Sequence, residues 1–165
     1  MSIYIFCRPV RSGKTSELQD WCNRQENIYG ILMPDTSDSR KILDIHTKEI
    51  FDIECTDTSA TNEPLISVGR FHFYSKGFEK ANSILLDTLT RNPRWLVIDE
   101  AGKLELEKKG LYDGIIKAVD HYNKKDAAGN LLITVRDSLY EEVISFFKIK
   151  DHMLIHKLEE IFPGE

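Results

Sequence analysis

Short apolar runs alternate with amphipathic helical stretches along this 165-residue chain, and that alternation constrains its fold more than any other feature. Residues 3–7, 28–33, 95–98 and 131–135 are dominated by aliphatic, β-branched and aromatic side chains. A strand with no polar face has to be covered on both sides. Between these runs apolar residues recur at helical spacing: Leu18, Trp21 and Cys22 within 15–25, Phe78, Ala81, Leu85 and Leu89 within 75–90, then Leu111, Ile115, Val119 and Tyr122. Buried strands alternating with amphipathic helices predict an α/β fold, a mainly parallel sheet with helices on both faces. Residues 41–53 break the pattern. There Leu43, Ile45, Phe51 and Ile53 alternate with polar residues around Thr47-Lys48-Glu49, which predicts an added antiparallel hairpin with one solvated face. Residues 56–64 read as a loop, 65–73 as a strand region interrupted by Gly69, and 153–156 as a last strand. Ser138 with Glu141 predicts a capping box for a helix buried through Tyr140, Val143, Ile144 and Phe147.

At this length residues 1–165 are expected to form one domain with a full core, and the chain shows no repeat or linker. Acidic residues outnumber basic ones, 27 to 22, for a formal charge of -5. That balance argues against a general nucleic-acid coat and leaves room for a local phosphate pocket. Cys7, Cys22 and Cys55 are odd in number and form no C-x-x-C pair, so no disulfide framework is expected and a reducing cytoplasm fits. The five histidines show no H-E-x-x-H spacing, so no zinc site is expected. The first residues carry no basic leader, and no apolar stretch is long enough to cross a bilayer. A cytoplasmic monomer without membrane contact is the expectation.

In parallel sheets, ligands sit at the carboxyl ends of the strands, so the polar residues there matter most. The first is the run Arg8, Pro9, Val10, Arg11, Ser12, Gly13, Lys14, Thr15 and Ser16, between a buried strand and a helix. A loop so placed wraps phosphates with backbone N–H groups, and the helix start adds a positive dipole end. Gly13 lets the backbone approach closely. Lys14 is placed to neutralise β and γ phosphates, and the Thr15 hydroxyl to ligate Mg2+. The full phosphate-loop pattern G-x-x-x-x-G-K-[ST] has glycine where this chain has Arg8. Glycine permits a backbone conformation that costs other residues about a kilocalorie or more. Two outcomes stand open: Arg8 distorts the loop and slows hydrolysis, or its guanidinium reaches a phosphate.

The second feature is Asp99-Glu100, which ends the apolar run 95–98. Asp99 is placed to hold Mg2+ through water, and Glu100 to orient and activate an attacking water. With Gly13-Lys14-Thr15 these carboxylates supply both halves of a magnesium–nucleotide site, Lys14 and Glu100 being the catalytic candidates.

The stretch Ile98-Asp99-Glu100-Ala101-Gly102-Lys103-Leu104-Glu105-Leu106 resembles the D-E-x-G-K-[ML]-E-L signature of the THEP-type P-loop nucleoside-triphosphatase family, the cancer-related nucleoside-triphosphatase group. Val68-Gly69-Arg70-Phe71 and Gly77-Phe78-Glu79 are similar to that family's V-G-x-Y and F-E segment. The resemblance covers roughly 3–147. It implies a three-layer P-loop fold and magnesium-dependent hydrolysis of ATP, GTP and other nucleoside triphosphates. The family's loop usually reads G-x-P-G-x-G-K-T, so Arg8 and Arg11 stand where it has glycines, while Gly13, Lys14 and Thr15 are kept. Arg11-Ser12-Gly13-Lys14 is similar to the R-S-G-K loop of adenosylcobinamide kinases, which makes Arg11 the lesser departure.

Three further cations are candidates. Lys103 either reaches a phosphate or pairs with Glu105 or Glu107. Arg136 follows the strand 131–135 and either stabilises charge on a transferring phosphate or is solvated near a helix start. Arg70 is similarly open. Phe71, Phe73 and Tyr74 either stack on a base or pack as strand aromatics. Glu107-Lys108-Lys109 reads as solvated. Besides hydrolysis, the residues allow a kinase with an acceptor pocket at the hairpin and residues 68–74, or a nucleotide-binding module with little turnover, which Arg8 favours.

Overall fold

The computed structural model describes residues 2–34, 36 and 38–161. In chain order it places β1 Ser2–Arg8, α1 Lys14–Cys22, β2 Ile28–Leu32, β3 Lys41–Asp44, β4 Ile50–Asp52, β5 Leu65–Val68 and β6 Phe71–Tyr74. There follow α2 Ser75–Leu89, β7 Trp95–Ala101, α3 Lys103–Leu106, α4 Tyr112–Tyr122, β8 Asn130–Arg136, α5 Tyr140–Phe146 and β9 His152–Ile155. Seven strands form one sheet in the order β4-β3-β2-β7-β8-β1-β9. Its β2–β7, β7–β8, β8–β1 and β1–β9 pairs are parallel, and the β3–β4 hairpin is antiparallel, as is its pairing with β2.

The alternation of side chains along β1 divides the core into two layers. Ile3, Ile5 and Cys7 pack with Phe78, Ala81 and Leu85 of α2, Ile115 and Val119 of α4, and Val143 of α5. Tyr4 and Phe6 face the other way, against Leu18, Trp21 and Cys22 of α1 and against Leu158. Trp95 anchors that second layer, edge-on to Trp21 at 5.0 Å and tilted on Tyr4 at 5.3 Å. Each large side chain buried this way contributes about 1.5–3 kcal/mol. Helices therefore cover both faces of a mainly parallel sheet, with the hairpin added at one edge. No helix among the described residues is long and apolar enough to cross a membrane. The three cysteines are buried and unpaired.

Several local expectations are corrected. The region 65–73 is two strands, β5 and β6, paired with each other in a small separate sheet, because Gly69 turns the chain at φ 56°. The strand from Trp95 runs past residue 98 to Ala101, with a bulge between Ile98 and Ala101 where Glu100 takes φ 71°. Helix α1 stops at Cys22, because Asn23, Arg24 and Gln25 close the end with turn hydrogen bonds. The Ser138–Glu141 capping box is absent. Asp137–Leu139 form a 3-10 turn that leads into α5, and the Ser138 N–H donates to the Asp137 carboxylate. Glycine is required at residue 30, where β2 lies so close to β7 that a Cβ would stand 1.9 Å from the Val97 carbonyl oxygen.

Candidate functional site

The carboxyl ends of β1, β8 and β7 lie side by side, with β8 between the other two. The segment after β1 turns back over these ends and starts α1 at Lys14. Gly13, the residue before the helix, has φ 78°, a left-handed conformation suited to glycine. A Cβ at Gly13 would touch nothing within 4 Å, so backbone conformation rather than space selects glycine there.

The strain anticipated at Arg8 is located elsewhere. Arg8 is the last residue of β1, in register with Arg136 of β8, and is extended rather than left-handed. The left-handed non-glycine residue of the loop is Arg11, at φ 57°. The Arg8 guanidinium turns away from the cleft. It pairs with Glu17 at 2.6 Å, donates to the Ser12 carbonyl at 3.2 Å and lies over the Phe6 ring at 5.0 Å.

Lys14 Nζ donates to the carbonyls of Arg8 at 3.2 Å and Pro9 at 3.0 Å, so the ammonium is folded back under the loop. Burial lowers its pKa, against the attraction of Glu100 and Asp99. The Thr15 hydroxyl donates to Asp99 Oδ2 at 3.0 Å, which brings the first helix and β7 into direct contact. Asp99 is 2% exposed. Burial raises its pKa, and hydrogen bonds from the Met33 amide at 3.0 Å and the Thr134 hydroxyl at 2.7 Å oppose that shift. The bulge turns Glu100 out of the strand alternation. Its carboxylate meets Arg136 at 2.9 Å and Arg40 at 3.8 Å.

One cleft of about 640 Å³ collects these groups. Val10, Arg11, Ser12, Gly13, Lys14, Thr15 and Ser16 line it together with Asp99, Glu100, Arg136 and Arg70. Arg8 and Pro9 do not line it; their carbonyls hold Lys14. Lys103 does not line it either, and it makes no ion pair with Glu105 or Glu107. It lies on an adjoining pocket. Glu107 pairs with Lys109 at 3.6 Å. Phe73 is core, edge-on to Phe78 at 5.7 Å, while Phe71 is half-buried and lines the cleft.

The site also holds residues that sequence reasoning missed. Thr134 is one whose signal was visible, a lone hydroxyl inside an apolar strand. Arg40 and the Met33 amide carried none, since their place depends on the sheet edge. Glu105, one of the alternative partners expected for Lys103, is a buried acid instead. It is 4% exposed and accepts the Gly102 N–H at 2.8 Å and the Leu111 N–H at 3.0 Å. Burial pushes its carboxyl up to about 6.

The donor set suits a hard divalent ion. Thr15 and Asp99 offer one hydroxyl and one carboxylate, and magnesium keeps waters and takes few protein ligands. No cluster of three or more His, Cys, Asp or Glu able to hold a metal occurs among the described residues. The buried Ser12 hydroxyl, in the loop itself, has no hydrogen-bond partner among them.

No family profile matches the chain, and no curated protein sequence does. Two solved structures do match. THEP1 from the hyperthermophile Aquifex aeolicus is 20% identical with a TM-score of 0.69, over 97% of this chain and 91% of that one. A human cancer-related nucleoside triphosphatase is 18% identical with a TM-score of 0.63, over 96% and 89%. With its three layers, its glycine-bearing loop after β1 and its acidic pair on β7, this chain shares the fold of those two proteins.

Proposed function

We propose that the chain, acting as one nucleotide-binding domain from 1 to 165, hydrolyses ATP- and GTP-type nucleotides to the diphosphate and phosphate with magnesium. The observation that carries this reading is convergence: Lys14, Thr15, Asp99 and Glu100 line one cleft, with Thr15 Oγ1 3.0 Å from Asp99. The fold likeness to a protein named as a nucleoside triphosphatase supports it.

In this reading the loop amides from Arg11 to Ser16 bind the phosphate oxygens. The Lys14 ammonium leaves the Arg8 and Pro9 carbonyls for the β and γ phosphates. Thr15 and Asp99 would hold the magnesium. When bound, the ion would supply neutralisation of the phosphate charge. Glu100 orients the attacking water and accepts its proton. Arg136, beside Glu100, stands where charge on the transferred phosphoryl develops. Turnover is slow, because both Lys14 and Glu100 start engaged by protein partners that must be exchanged. The three unpaired cysteines fit a reducing compartment such as the cytoplasm.

Magnesium-dependent phosphate release from ATP, GTP, CTP and UTP tests the reading on the parent, Lys14→Ala and Glu100→Gln. Lys14→Ala is expected to lose nucleotide affinity about tenfold or more, the worth of a charged hydrogen bond. Glu100→Gln is expected to keep affinity and lose turnover by about 100-fold or more. Unchanged turnover in Glu100→Gln removes that residue from the mechanism.

A further inference from the structure

A second pocket of about 400 Å³ adjoins the nucleotide cleft. Its walls are apolar, from Val68, Phe73, Phe78 and Leu104, at the junction of the small β5–β6 sheet with α2 and α3. Arg70, Phe71 and Glu100 line both cavities, and Glu100 is the only carboxylate among the described residues that does so.

The charges around this pocket do not cancel. Glu100 is paired with Arg136 and Arg40, Glu107 with Lys109, and Glu105 is spent on two backbone N–H groups. Lys103 and Arg70 both face the pocket and make no ion pair among the described residues; Arg70 lies only over the Phe71 ring, at 5.1 Å. A pocket with aromatic walls and two uncompensated cations at its lip selects a small molecule with an apolar planar body and an anionic group.

We propose that this pocket takes a phosphoryl acceptor, a small alcohol of that description, whose hydroxyl reaches Glu100 in place of water. The inference rests on the nucleotide reading of the larger cleft and names a second substrate for it. In the step, the acceptor oxygen bonds to the γ phosphorus. The bond from that phosphorus to the β–γ bridging oxygen breaks, and the hydroxyl proton passes to the Glu100 carboxylate. The products are the nucleoside diphosphate and a phosphate monoester, with no other reactant. Hydrolysis is the same reaction when water, held at Glu100 on the nucleotide-cleft side, stands in place of the alcohol.

The probe is 4-(hydroxymethyl)benzoate, with benzyl alcohol as its neutral counterpart. Binding is measured by calorimetry on the full chain with magnesium–ADP, and transfer with γ-labelled ATP. The parent is expected to bind the benzoate at least ten times more tightly than benzyl alcohol and to form labelled ester. Val68→Trp, which fills the pocket from a wall away from the phosphate loop, abolishes benzoate binding and ester formation while phosphate release to water stays within twofold. Lys103→Ala, an exposed change that spares the fold, weakens the benzoate at least fivefold and leaves benzyl alcohol unchanged. Absence of benzoate binding to the parent, equal binding by Val68→Trp, or ATP hydrolysis without labelled ester overturns the proposal. Titration with a fluorescent ATP analogue separates the two readings: no nucleotide binding overturns both, whereas nucleotide binding without ester overturns only the acceptor.

Discussion

The hydroxyl of Thr134 joins the two acidic residues of β7: it accepts the Glu100 N–H at 2.7 Å and donates to Asp99 Oδ1 at 2.7 Å. One oxygen on β8 thereby satisfies the amide left over at the bulge and orients the buried carboxylate beside it. Thr134→Val keeps the shape and removes both bonds. It is expected to lower stability by about 1–3 kcal/mol, the cost of a buried N–H left unpaired. It is also expected to cut phosphate release by roughly tenfold or more, as losses of supporting hydrogen bonds at metal sites do. Urea unfolding and phosphate-release assays check both, and Thr134→Ser restores them. A Val variant with parental turnover would show that the bulge holds its shape without this hydroxyl.

Arg8→Gly separates backbone from side-chain accounts of the unusual loop. Because residue 8 is extended, glycine relieves no strain there. The substitution instead removes the Glu17 bridge and the bond to the Ser12 carbonyl. The expected result is no gain in nucleotide affinity or turnover and a loss of about 1 kcal/mol of stability. A faster Arg8→Gly enzyme would return the handicap to this residue.

Glu105 makes stability depend on pH in a direction opposite to that of a salt-bridged acid. Its folded carboxyl is raised from 4.5 to about 6 by burial. Between those values the folded state holds more protons than the unfolded one, so stability falls as pH rises. The contribution is full below 4.5 and is lost as pH passes about 6, by up to about 2 kcal/mol. In Glu105→Gln this slope is gone. Subtracting the two proteins' urea-unfolding free energies at several pH values isolates it, and a difference independent of pH refutes the assignment.

Gly30→Ala tests the close approach of β2 to β7. At φ 123° and 1.9 Å from a backbone oxygen, the new Cβ has no rotamer by which to escape. The strands have to part, and destabilisation beyond about 3 kcal/mol is expected. A well-folded Ala variant with parental urea midpoint would mean the two strands sit further apart.

Much of this molecule was written locally. Buried strands announce themselves by runs without polar positions, so β1, β2 and β8 were legible near their final bounds, and β7 up to its bulge. So was α2, from Phe78, Ala81 and Leu85 on one stripe. The placement of Lys14, Thr15, Asp99 and Glu100 at the ends of elements was legible too, because a glycine-bearing loop before a helix and carboxylates after an apolar run are local signatures. The misreadings fall where backbone geometry departs from its average. Nothing in the letters around Glu100 distinguishes a strand end from a bulge, and Arg8 and Arg11 are both arginines until the chain bends at one of them.

What the residues alone determined is the kind of element each segment forms and which side chains stand at strand ends, since periodicity and turn chemistry act over a few neighbours. Strand order was decided only in three dimensions. Placing β8 between β1 and β7 brings Thr134 and Arg136 to the carboxylates, β2 on the other side of β7 sets Met33 on Asp99, and the β5–β6 sheet shares a pocket with Glu100. Those contacts join residues dozens of positions apart, and they follow from how two packed layers bury their apolar faces together.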